Sequence, residues 1–271
     1  MKKRLFMFLK MVLVILLLTA QPAQAAAKVY EYYGNHLDTF NKKIYRSVVK
    51  TAKKGLGTTR VEVSSPNVSV IRGLSSYLVN DHPEIYWIKG YWTTTSYSWL
   101  EGTHLDFEPI ASWNKADKRK AAFNKKVNTA VSLLKKKCSG KGAAKRAKII
   151  LDYIAAHCSY AFSAYDQTAY GVFMKKKAVC AGYARSYKLL CDRLGVTCIC
   201  VEGQINGEGH MVNFVKIGKK WYYVDPTWCD IGNTANTRYF LLGRITSGCT
   251  VTQSTGIRVP ALSAKDYPIA R

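Results

Sequence analysis

Cys180, His210 and Asp225 are the residues whose types and spacing carry the most chemistry in this sequence. Cys180 follows the apolar pair Ala178-Val179 and opens the segment Cys180 to Arg193, where Tyr183, Tyr187, Leu190 and Leu194 recur at helical spacing. A helix N-terminus presents unpaired N–H groups and partial positive charge, which favour thiolate over thiol. Ala181 and Gly182 keep the first turn slim for an approaching carbonyl, and the Cys180 N–H is placed as an oxyanion donor. His210 begins one strand-like run, His210 to Ile217, and Asp225 ends the next, Lys220 to Asp225. Gly218-Lys219 between them is a tight hairpin link that sets 210 and 225 roughly opposite each other. An imidazole flanked by a thiol and a carboxylate forms a thiolate–imidazolium pair, with the carboxylate fixing the tautomer. Each residue alone has a plainer reading: a half-cystine or core thiol, a core histidine, and a turn former before Pro226. Their joint order and spacing favour the chemistry.

The elements that must position these residues follow from the apolar pattern. Leu37 to Lys54 reads as a helix closed by Gly55, and Val68 to Val79 as another, broken by Asp81-His82-Pro83. Tyr86 to Ile88, Tyr91 to Tyr97 and Thr103 to Ile110 read as strands. Ala116 to Lys137 and Ala143 to His157 return to helical spacing. Gly195 is well placed to end the Cys180 helix, and Thr197 to Glu202 is a further strand.

The stretch Ala178-Val-Cys-Ala-Gly-Tyr-Ala-Arg-Ser-Tyr-Lys-Leu-Leu, then Leu194-Gly-Val-Thr-Cys, resembles the nucleophile helix of the transglutaminase-like superfamily. Gly209-His-Met-Val-Asn-Phe-Val-Lys and Gly218-Lys-Lys-Trp-Tyr-Tyr-Val-Asp-Pro-Thr-Trp resemble that family's His and Asp strands, with Tyr239 to Leu242 as a closing strand. Asp81 to Trp87 resembles, more weakly, a segment found upstream in exported members. The resemblance covers about residues 145 to 245. It implies an α+β, papain-like cysteine hydrolase core, with the nucleophile helix packed on an antiparallel sheet and Cys180, His210 and Asp225 as a triad. It also implies an oxyanion or site-shaping role for Tyr170, with Gln167 as the papain-style alternative, and it matches Asn213 to a family asparagine. Met211-Val212 stands where the family often has Trp, so the acyl site differs.

The implied domain plan is a signal peptide over 1–25, a mixed helix and strand region over 26–115, and the catalytic domain over 116–271. Lys2-Lys3-Arg4, the apolar run Met11 to Ala20 and Ala23-Gln24-Ala25 have the order of a cleaved signal, which predicts a secreted or envelope-associated protein. The net charge is +24, of which the predicted signal holds four positive residues. Such a charge attracts an anionic wall polymer or membrane surface. The basic clusters at 118–120, 135–137 and 175–177 lack the aromatic interleaving or zinc spacing of a nucleic-acid module, so no specific nucleic acid is expected. The eight cysteines show no zinc-ligand spacing and no readable pairing. No acidic loop suggests calcium, so no metal or cofactor is expected, and the chain is expected to act as a monomer. The expected function is thiol acyl transfer on peptide or carboxamide groups, by hydrolysis or crosslinking. The alternative is a non-catalytic surface or polyanion-binding module on the same fold.

Overall fold

The structure, a computed structural model, describes residues 28–54, 60–63, 68–96, 103–109, 116–252 and 256–269. The predicted signal segment, residues 1–25, lies outside the described residues. Among the described residues no helix is long and apolar enough to cross a membrane.

The helix predicted from Leu37 to Lys54 is α2 (Thr39–Lys54), which begins two residues late, and the extended Leu37 separates it from α1 (Tyr32–His36), a helix the sequence pattern did not indicate. A three-stranded sheet follows, with β1 (Arg60–Val63), β2 (Ile88–Ser96) and β3 (Thr103–Pro109) in the order β1-β3-β2, around α3 (Val68–Asp81). Tyr86 and Trp87, expected in a strand, form a turn before β2. The long helices α4 (Ala116–Cys138) and α5 (Ala143–Ala155) bury Phe123, Val127, Leu134, Ala147, Leu151 and Ile154, as their spacing requires. A parallel two-residue pair, β4 (Ser159–Tyr160) with β5 (Lys177–Ala178), leads into α6 (Cys180–Arg193).

The main sheet is antiparallel and has the order β10-β6-β7-β8-β9. Its strands are β6 (Cys198–Ile205), β7 (Glu208–Ile217), β8 (Lys220–Val224), β9 (Phe240–Leu242) and β10 (Cys249–Val251). Two tight turns set its register. Asn206 and Gly207 both have positive φ, as a two-residue hairpin demands, and pair Ile205 with Glu208. Gly218, at φ +61°, pairs Ile217 with Lys220. The period-two alternation then divides the side chains between two covered faces. Ile199, Val201, Val212, Phe214 and Tyr223 share a core with Tyr33, Tyr45, Leu74 and Leu78 of the N-terminal helices. Cys198, Val215, Tyr222 and Val224 share the other with Leu151, Tyr187 and Leu190.

A buried polar cluster ties the N-terminal helices to α6. Asp81 accepts the Tyr33 N–H at 3.2 Å, the Gly34 N–H at 2.9 Å and the Tyr45 hydroxyl at 2.9 Å. Lys188, fully buried on α6, donates to the Asp192 carboxylate and, at 3.5 Å, to the Asp81 carbonyl. His82, which precedes Pro83, is no local loop residue: it bridges Glu31 at 3.0 Å and Glu84 at 3.1 Å. Burial disfavours the Lys188 charge, but Asp192 and Asp81 hold its pKa above the usual lysine value. Replacing Lys188 by Met leaves the buried Asp192 carboxylate without its cation. The expected cost is about 3–5 kcal/mol, visible as a lower urea midpoint; an unchanged midpoint would show that the pair contributes nothing net.

Candidate active site

Cys180 is the first residue of α6, held at the rim of the main sheet. Two backbone contacts fix that position. The Val179 N–H donates to the Asp166 carbonyl at 3.1 Å, and the Ala161 N–H donates to the Ala178 carbonyl at 3.0 Å. Gly182 is slim for a different reason from the one its sequence suggests. A Cβ there would overlap the Asp166 carbonyl oxygen and stand 2.7 Å from the Ala178 Cβ. The missing side chain admits the backbone of the 165–168 loop, not the substrate.

His210 lies on β7 and Asp225 caps the short helix α7 (Pro226–Cys229). Strand pairing ends at Asn213 with Val224, a register that would oppose 210 to 227. Asp225 instead turns out of β8, where one carboxylate oxygen accepts the Thr227 and Trp228 N–H groups, each at 3.0 Å. The other oxygen faces His210 Nε2 at 2.8 Å and accepts the Tyr223 hydroxyl at 3.2 Å. With Nε2 so engaged, Nδ1 is the nitrogen left for the thiol. His210 and the backbone N–H groups of Met211 and Ala181 are the neighbours that stabilise negative charge on the Cys180 sulfur.

The electrostatics follow from this geometry. Burial pushes the Cys180 thiol up, but the imidazole's hydrogen bond and charge and the two N–H groups bring it below the ordinary thiol value. Burial likewise opposes charge on His210, yet Asp225 and then Cys180 raise its pKa to about 9. Each charge depends on the other, so the pair titrates as a unit. A lowered thiol pKa beside a raised imidazole pKa is the combination that a thiolate–imidazolium pair requires.

The other site candidates lie elsewhere. Tyr170 is buried in an aromatic cluster, its ring 4.5 Å from Tyr86, 4.6 Å from Tyr165 and 6.0 Å from Phe123. Gln167 is exposed, and its carbonyl accepts Arg185 Nη1 at 2.7 Å. Asn213 is buried and staples β7 to α6 and β6, donating to the Ala184 carbonyl at 3.0 Å and the Ile199 carbonyl at 3.2 Å. A different tyrosine stands near the sulfur: Tyr160, 55% exposed, whose pKa is raised by burial and then by the Cys180 charge. Trp228 is the second missed neighbour, its ring centroid 5.7 Å from that of His210. Both line a cleft of about 640 Å³ together with His157, Lys176, Asp230 and Ile231. Trp228 was findable as the third residue after Asp225. Tyr160 was not, because only the β4–β5 pairing of Tyr160 with Ala178 brings it to the nucleophile.

The family model of the transglutaminase-like superfamily matches residues 129–226, a span that contains all three members of the Cys-His-Asp constellation. Residues 129–226 are a transglutaminase-like domain. Solved structures similar to the chain include a TGase, at 14% identity over 66% of this chain and 53% of that one, with a TM-score of 0.39. The periplasmic domain of TgpA from Pseudomonas aeruginosa is similar at 15% identity over 46% and 53%, with a TM-score of 0.31. The chain thus spans about half the length of each. No curated protein matches it. The transglutaminase-like domain supplies α6 and β6 to β8, the elements that carry Cys180 and His210 and deliver Asp225.

Three outcomes are expected. Iodoacetamide should alkylate Cys180 near pH 6.5 faster than a free cysteine, slowing as pH falls and the thiol protonates. In His210→Gln only burial and the N–H groups remain, so the pKa rises and labelling at pH 7 drops about tenfold or more. An equal rate in the variant would refute the pairing. Gly182→Ala should cost about 1–3 kcal/mol by overpacking, read as a lowered melting temperature.

Proposed function

We propose that the protein is a thiol acyl-transfer enzyme acting on peptide or carboxamide groups through Cys180, His210 and Asp225. The observation that carries this is the imidazole held between a thiol of lowered pKa and a carboxylate 2.8 Å away. The Cys180 sulfur attacks the carbonyl carbon, and the C–N bond breaks as the His210 proton passes to the departing amine. Water or a second amine then gives its proton to His210 and attacks the thioester, releasing acid or a new amide and restoring the thiol. Asp225 keeps the ring oriented and compensates its positive charge. The Cys180 N–H, in the first turn of α6 with no carbonyl of its own helix to bond, is the proposed donor to the oxyanion.

The cleft lined by Tyr160 and Trp228 does not include Cys180 or His210 in its walls; its proposed part is to hold a stretch of the substrate beyond the reacting carbonyl, Trp228 being the wall residue that stands next to His210. The apolar run after a basic start supports a location outside the cytoplasm, where envelope peptides are the proposed substrates. The test is incubation with a peptide library plus a primary amine, read by mass spectrometry. Peptide-bond cleavage identifies a peptidase, and loss of ammonia with gain of amine identifies a transferase. Cys180→Ala should reduce either to background. Turnover that survives that substitution would overturn the assignment, and no product with either protein would favour a binding module.

A further inference from the structure

The longest helix among the described residues, α4, carries a feature that acyl transfer does not use. From Lys118 to Leu151 the chain holds twelve basic residues and no acidic one, a span that covers nearly all of α4 and most of α5. Along α4 the residues Lys118, Ala122, Lys125, Thr129, Ser132 and Lys136 follow one another at steps of four and three, which aligns them on one face. All six are exposed, and the opposite face, with Phe123, Val127 and Leu134, is in the core. Among the described residues none of these three lysines makes an ion pair, whereas Lys148 and Lys188 do. The stripe runs for about 27 Å at 1.5 Å per residue.

We propose that this face of α4 binds a linear, base-free polymer of repeating phosphate groups. Charge complementarity selects an anion, and the single file of lysines separated by small residues fits a chain lying along the helix axis. A membrane surface is disfavoured, because an interfacial helix needs a free apolar face and that of α4 is already buried. Single-stranded nucleic acid is disfavoured, because the stripe holds no aromatic side chain for bases to stack on. Such binding would hold the enzyme at a polyanionic matrix through residues that include none of Cys180, His210 and Asp225.

The test measures binding of the full chain to fluorescent poly(glycerol phosphate), with length-matched single-stranded DNA and phosphatidylglycerol vesicles as competitors. Lys118→Glu/Lys125→Glu/Lys136→Glu should lose about tenfold or more in affinity and show a shallower salt dependence. The charge-matched control Lys43→Glu/Lys50→Glu/Lys219→Glu, also at exposed positions, should keep most of it. Circular dichroism verifies that both variants fold, and Cys180→Ala should bind as the wild type does. Equal losses in the two triple variants would overturn the proposal in favour of diffuse attraction. Tighter binding of DNA or vesicles through the same lysines would overturn the choice of partner.

Discussion

Negative charge on a partly buried sulfur is costly, and the surroundings of Cys180 lower that cost. Burial alone would keep Cys180 protonated and inert. The opposing contributions are the His210 imidazole and two backbone N–H groups, and they come from two separate parts of the chain. Ala181 supplies one N–H from the first turn of α6, and Met211 the other from β7, next to His210. Moving the start of α6 relative to β7 would therefore remove the charge partner and one of the N–H groups together.

Rigidity at that junction comes from both sides of α6. On one side the 165–168 loop presses its backbone against Gly182 and takes the Val179 N–H. On the other, Asn213 binds the Ala184 carbonyl, and Lys188 joins the buried cluster around Asp81 and Asp192. The N-terminal helices thus serve the site without touching it. They cover one face of the main sheet and supply part of the polar cluster that holds α6. Buried charges of this kind add little net stability, but they penalise any packing that separates them. A helix whose first residue must meet a histidine gains from that penalty.

Asp225 shows how one side chain serves local and long-range structure together. One oxygen caps α7 and the other holds His210, so the turn that ends β8 also fixes the imidazole. Ideal strand register would have placed residue 227 opposite 210. The Pro226 turn sets the carboxylate where the pairing alone would not.

The sequence by itself determined the helix that opens at Cys180, the strands of His210 and the approach to Asp225, and the hairpin at Gly218. These are set by periodicity and turn chemistry, which act over a few residues. The same local rules explain why α4 and α5 bury the residues they do. Where the aromatics near the site lie is visible only in the tertiary structure. Tyr170 matched a family pattern ten residues upstream and lies in the core with Tyr86 and Phe123, while Tyr160 pairs with Ala178, two residues before Cys180, and feels the charge of that thiol. The tertiary structure also decided that Gly182 serves loop packing and that His82 bridges glutamates 51 residues apart in one case and two in the other. Local patterns report which face a residue turns. Which residue it meets there depends on contacts between segments far apart in sequence, and no periodicity encodes those.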